Sequence, residues 1–160
     1  MIRVQREPFD VGQELAALKA GNTAIGATAL FVGTVREWGD GRAVSAMTLE
    51  HYPGMTEKAL AEIEAEAKSR WPLLGSLIIH RYGRLELGED IVLVITASSH
   101  RGEAFAACEF LMDWLKTRAP FWKLETSPSS GDTEAGGAWV EARETDDEAA
   151  RRWAEEGRGN

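Results

Sequence analysis

LIIHRYGRLELGEDIVLVITASSHRGEAFAACEFLMDWLKTR, residues 77–118, decides the fold class. Leu77–Tyr82 and Asp90–Ala97 read as strands around a turn that contains Gly88, so a hairpin is expected. Gly102 then leads into a helix, Glu103–Arg118. Phe105, Cys108, Leu111, Met112 and Leu115 recur on it at helical spacing and form its expected inner face. Pro120 disfavours helix at Ala119, so the helix ends there. A strand pair followed by a helix, rather than strict strand–helix alternation, points away from a doubly wound sheet.

The flanking text repeats that logic. Ile2–Val4 is a short strand. Asp10 followed by Gln13 is a capping-box variant, with Leu15 and Leu18 at helical spacing before Gly21. Ala24–Arg36 (AIGATALFVGTVR) reads as a strand in which Gly26 and Gly33 mark a bulge or a close backbone approach. Gly39–Gly41 reads as a turn and Ala43–His51 as a second strand, so these two are expected to form a hairpin. Thr56 is the expected N-cap of a helix running to about Trp71. On it Leu60, Ile63 and Ala67 form an apolar stripe, and Glu57, Glu62, Glu64, Glu66 and Lys68 a wet face. Phe121–Glu125 and Trp139–Ala142 are short strands, separated by a Gly/Ser-rich loop at 127–137 that reads as mobile. A last helix, Asp146–Glu156, precedes a frayed tail at 157–160. The expectation is one α+β domain over residues 1–160, with a largely antiparallel sheet.

Composition narrows the function. The chain has 160 residues, with 18 Lys+Arg against 26 Asp+Glu and a net charge of −8. That balance argues against duplex nucleic acid, whose binding rests on neutralising phosphates. It leaves room for a small anion, because a local field can oppose the global sign. A single Cys108 excludes a disulfide framework or a multi-cysteine metal site. Apolar runs such as Ile91–Ile95 fall far short of the ~20 residues of a membrane helix. MIRVQREPFD lacks the apolar core of a signal peptide, so a cytoplasmic protein is expected. Neither a P-loop nor a dinucleotide motif occurs. His51, His80 and His100 lack metal-ligand spacing, so no metal and no cofactor are expected.

Positive signals are cationic. WLKTRAPFWKL (Trp114–Leu124) holds Lys116, Arg118 and Lys123 without an acidic residue. Cations in a helix's last turn complement its dipole, which accounts for Lys116 and Arg118 but not for Lys123 beyond Pro120. Ser98–Gly102 joins a buried strand to a helix N-terminus. It can seat a phosphate with His100 and Arg101 as extra donors, or Ser99 can simply cap the helix. Arg36 ends the FVGTVR strand, as a rim residue or as a ligand. Cys108 reads as a core thiol rather than a nucleophile. No paired carboxylates stand out, so the ligand these residues suit is an anion.

LEHYPGMTEKALAEI (Leu49–Ile63), SSHRGEAF (Ser98–Phe105), FLMDWLKTRAPFWKLE (Phe110–Glu125) and WVEAR (Trp139–Arg143) resemble, in order, the large, catalytic subunit family of molybdopterin synthase. The resemblance runs from FVGTVR to the last helix. It implies an α/β hammerhead fold with an additional α+β subdomain. It also implies a sulfurtransferase of molybdenum cofactor biosynthesis, which converts cyclic pyranopterin monophosphate (precursor Z) to molybdopterin by building its dithiolene. The implied partner is a small ubiquitin-like sulfur carrier with a C-terminal Gly-Gly thiocarboxylate, bound at each end of a homodimer to make a heterotetramer. Carried over by motif, Lys116 and Lys123 are the catalytic residues. Arg36, His100, Arg101 and Arg143 bind the pterin phosphate, and Arg143 can reach the neighbouring subunit's site. Phe31 and Met112 line the carrier-tail channel or belong to the core, and Glu125 can tune Lys123. A non-catalytic dimer that merely docks such a tail is the alternative.

Overall fold

Two strands with apolar centres, 73–81 and 90–98, pair antiparallel and form the middle of a four-stranded sheet. The computed structural model describes residues 1–39, 42–126, 138–140 and 144–156. In chain order these form β1 (Ile2–Gln5), α1 (Val11–Lys19), β2 (Ala27–Thr34), β3 (Trp38–Gly39), β4 (Arg42–Ala43), β5 (Ala46–His51) and α2 (Met55–Arg70). There follow β6 (Leu73–Arg81), β7 (Gly83–Glu86), β8 (Asp90–Ser98), α3 (Arg101–Arg118), β9 (Phe121–Thr126), β10 (Ala138–Val140) and α4 (Glu144–Glu156). The loop expected at 127–137 and the tail at 157–160 lie outside the described residues.

The first sheet has the order β1-β6-β8-β2, parallel only between β1 and β6. Both of its faces are covered, which explains why the middle of β6 (Leu77–Ile79) and of β8 (Ile91–Ile95) is continuously apolar instead of alternating. On one face Ile78 and Val94 meet Leu60 and Ile63 of α2 and Phe110 and Leu111 of α3. Trp71 and Trp153 set their rings edge-on to Phe110, with centroids 5.3 and 5.5 Å away. On the other face Leu77, Ile79, Leu93 and Ile95 lie under α1, against Val11, Leu15 and Leu18. The period-two geometry of a strand sorts these sets. Truncation of the fully buried Phe110 to Ala would cost about 3–5 kcal/mol.

The second sheet, β10-β9-β5-β7, is antiparallel throughout and has its own small core of Val35, Met47, Leu49 and Leu85. The architecture is α+β. None of the described helices is long and apolar enough to cross a membrane.

Four local expectations are corrected. The strand at 24–36 does not pair with the one at 43–51: β2 runs beside β8 from Ala27–Ser98 to Gly33–Val92, while β5 joins the other sheet. Chain proximity is satisfied by the two-residue ribbon β3–β4 instead. The helix α2 begins at Met55, and its N-cap is Gly54 with φ 83°, where a side chain would be strained. Thr56 lies inside the first turn. Its hydroxyl accepts from the Tyr52 N–H at 3.1 Å and donates to the Pro120 carbonyl at 3.3 Å, tying α2 to the start of β9. Phe105 is 64% exposed and is not part of the inner face of α3. Glu64 is buried rather than wet, where it accepts from Ser76 Oγ at 2.5 Å and pairs with Lys68 and the Met1 amine.

Candidate active site

The junction of the two sheets leaves a cavity of about 720 Å³. Its walls are the end of β2 (Phe31–Thr34) and Arg36, the last turns of α3 (Met112, Leu115, Lys116), alternate residues of β9, and Met47 and Leu49 of β5. His80 of β6 also lines it. Local sequence explains how each cation arrives. On α3, Met112 and Lys116 are four residues apart and share a face. The helix stops because Ala119 adopts extended backbone (φ −76°, ψ 126°) ahead of Pro120. The chain then enters β9, where Phe121, Lys123 and Glu125 alternate onto the cavity side. Pairing of β9 with β5, Leu49 opposite Lys123 and His51 opposite Phe121, fixes that register.

Arg36 is held from behind. The Val35 N–H donates to Glu89 O at 2.9 Å, and the Gly88 N–H donates to Val35 O at 2.8 Å, so the residue after Val35 is fixed at the rim. The β2–β8 register shifts between Gly33 and Thr34, just ahead of Arg36. A Cβ at Gly33 would stand 2.8 Å from Val92 Cγ1, so the close approach expected there from sequence is real.

The electrostatics oppose the global charge. Among the described residues, Arg36, Lys116 and Lys123 line the cavity as cations with one carboxylate, Glu125, whose Oε1 lies 2.5 Å from Lys123 Nζ. Arg118 is engaged elsewhere: its guanidinium lies 3.7 Å over the Trp114 ring and pairs with Glu66 at 3.2 Å. Among the described residues, no group of three or more His, Cys, Asp or Glu side chains is placed to hold a metal ion.

A second cavity, of about 440 Å³, shares Phe31, Met112 and Lys116 with the first and extends along β2 and α3 past Ala29, Leu30, Phe105 and Cys108. Phe31 and Met112 thus line both spaces. Leu30, Phe31 and Phe105 are exposed there, on the strand at the edge of its sheet and the helix facing it. Cys108 is buried, and that burial pushes its thiol up to about 11, despite a hydrogen bond with Thr96 that acts the other way. It is an inert core thiol.

The structure brings Arg36, Lys116 and Lys123 together but places His100 and Arg101 apart. His100 is the N-cap of α3 and makes no side-chain capping bond. Arg101 and Lys116 stand at opposite ends of that helix, fifteen residues or about 22 Å along its axis. Arg143 lies outside the described residues. His80 and its partner Phe121 escaped the sequence reading. The available signal was a histidine closing the otherwise apolar run LIIH.

An α+β chain with a cationic cavity joined to a mainly apolar groove, and with no group of three or more potential metal ligands among its described residues, has a site suited to an anionic ligand. Comparison with known proteins gives the family. A model described as MoaE protein matches residues 4–118. The molybdopterin synthase catalytic subunit of Pseudomonas aeruginosa is 61% identical over 154 residues, covering 96% of this chain and 99% of that one. The catalytic subunit of Ralstonia nicotianae is 59% identical over 152 residues, covering 95% and 83%. Among solved structures, the molybdopterin biosynthesis MoaE protein from Burkholderia ambifaria matches with a TM-score of 0.80 at 56% identity, over 96% of this chain and 97% of that one. The chain belongs to the MoaE family.

Proposed function

We propose that this chain is the catalytic subunit of a cytoplasmic molybdopterin synthase, and that sulfur is transferred in the cavity lined by Arg36, Lys116 and Lys123. The observation that carries this reading is the meeting of two spaces at Lys116, one cationic and one mainly apolar, with Glu109 and Asp113 along its α3 wall. The substrate, cyclic pyranopterin monophosphate, is an anion suited to the larger cavity. The tail of a small ubiquitin-like carrier is a slender extended peptide, suited to the groove between β2 and α3. Its Gly-Gly end would bring the thiocarboxylate to Lys116. The name "catalytic subunit" borne by the relatives implies such a second subunit.

In this mechanism Lys116 and Lys123 orient the thiocarboxylate by charge-assisted hydrogen bonds. They move protons as its sulfur bonds to a pterin side-chain carbon whose oxygen substituent leaves as water, and as a water then cleaves the acyl–sulfur bond, leaving the thiol on the pterin and a carboxylate on the carrier. Arg36 holds the substrate at the rim. His100 and Arg101 are about 24 and 22 Å from Lys116 along α3, beyond reach of one small ligand in the same protomer. They therefore serve the phosphate only if a second copy brings them, which is what a homodimer within a heterotetramer supplies. Arg143 is assigned to the same phosphate. Cys108 is buried, with its thiol pushed up to about 11, so the sulfur is assigned to the carrier.

The test is reconstitution: the purified chain, thiocarboxylated carrier and cyclic pyranopterin monophosphate should yield molybdopterin. Mixing Lys116→Ala with Arg101→Ala protomers should restore part of the activity that each lacks alone, because one mixed site per dimer is intact. Binding of the carrier tail without product would favour a non-catalytic docking module instead.

A further inference from the structure

His80 stands at the floor of the cationic cavity, 5% exposed, with its ring stacked on Phe121 at 3.6 Å and 15°. Its Nδ1 lies 2.8 Å from the carbonyl oxygen of Arg81. A carbonyl only accepts, so Nδ1 carries the proton and Nε2 carries the lone pair. No other hydrogen bond to this ring is formed among the described residues, which leaves the Nε2 lone pair to the cavity that the ring lines.

The neighbours explain why this differs from everything else around it. Arg36, Lys116 and Lys123 are donors only, and Glu125 is taken up by Lys123. From β5, His51 approaches the same Phe121 ring, at 6.4 Å. Burial, with a smaller contribution from His51, drives His80 down to about 4, against the opposing pull of the Arg81 carbonyl. The imidazole is therefore neutral at pH 7 and cannot act as a fourth cation. We infer that His80 is a specificity-determining residue: a tautomer-locked acceptor that receives a hydrogen bond from an N–H or O–H group of the pyranopterin while the cations hold its anionic part. The inference rests on the function proposed above.

The experiment uses three variants in the reconstituted complex, with cyclic pyranopterin monophosphate as the varied substrate. His80→Phe keeps an aromatic ring to stack on Phe121 but has no acceptor. His80→Gln places an amide oxygen near the position of Nε2. The expected result is a rise in KM for the pterin on the order of tenfold to a hundredfold in the Phe variant, as for a buried donor left unpaired. Carrier affinity and melting temperature should stay unchanged, and His80→Gln should recover most of the loss. If the Phe variant does not fold, His80→Asn replaces it, since its shorter amide cannot reach the Nε2 position and the same contrast with Gln is expected. An unchanged KM without the acceptor, or a Gln variant as impaired as the Phe or Asn variant, would overturn the assignment. Lys116→Ala run alongside separates the two claims. Its failure to reduce turnover removes the underlying function, whereas its loss of turnover with a normal His80→Phe KM removes only the role of His80.

Discussion

Lys123 Nζ and Glu125 Oε1 lie 2.5 Å apart, two residues along one face of β9, and among the described residues Glu125 is the carboxylate that lines the cationic cavity. The pairing fixes the lysine where Phe121 and Lys123 face the substrate space, and it holds the local charge below that of three bare cations. Replacing Glu125 with Gln removes the orienting partner and also a charge that repels an anion. The expected outcome is a split: kcat falls about tenfold, while KM for the anionic pterin does not rise. Steady-state kinetics over a range of pterin concentrations decide this, and a raised KM at unchanged kcat would contradict it.

Gly26 is required by close packing rather than by turn geometry. A Cβ there would sit 2.2 Å from the Ser99 carbonyl oxygen, where the Gly26 N–H already donates to Ser98 O at 3.1 Å. Gly26→Ala must push the start of β2 away from β8 and should cost about 1–3 kcal/mol, as overpacking does. Urea unfolding measures the loss, and wild-type stability in the variant would refute the contact.

His80 makes the fold acid-sensitive in a defined window. Its folded value, about 4, lies below the ordinary 6.5, so the unfolded chain takes up the proton first. Stability is full above pH 6.5 and is lost progressively as pH falls toward 4, by about 3 kcal/mol in all. His80→Gln should flatten that part of the curve of unfolding free energy against pH. Parallel curves for the two proteins between pH 6.5 and 4 would exclude His80 as the cause.

Cys108 lines the same groove as Lys116, about two turns earlier on α3, and its thiol is held up at about 11 by burial. Cys108→Ser should keep turnover within about twofold of wild type, and alkylation of the native protein near pH 7.5 should be slow. A variant without activity would mean that the chain carries sulfur itself.

Much of this was legible locally. Pro120 does stop α3, and Asp10 caps α1 by accepting from the Gln13 N–H at 2.8 Å, as the spacing implies. Long-range choices were not legible. The partner of β2 is β8, sixty residues on, because both present apolar faces to the same two cores, and nothing inside Ala24–His51 encodes that preference. Thr56 looked like a cap because its hydroxyl does bond backbone, but the bonds tie β9 and Tyr52 to α2 while Gly54 makes the turn. The site was half visible: KTRAPFWK placed Lys116 and Lys123 around one helix end. The roles of His80 and of the distance between Arg101 and Lys116 needed three dimensions.

The most direct measurement is single-turnover formation of molybdopterin by Lys116→Ala, with thiocarboxylated carrier and cyclic pyranopterin monophosphate both saturating. If thiocarboxylate and pterin meet beside Lys116, carrier binding survives while the rate falls by on the order of 10²–10⁴. A variant that binds carrier and forms product at the wild-type rate would place the chemistry elsewhere.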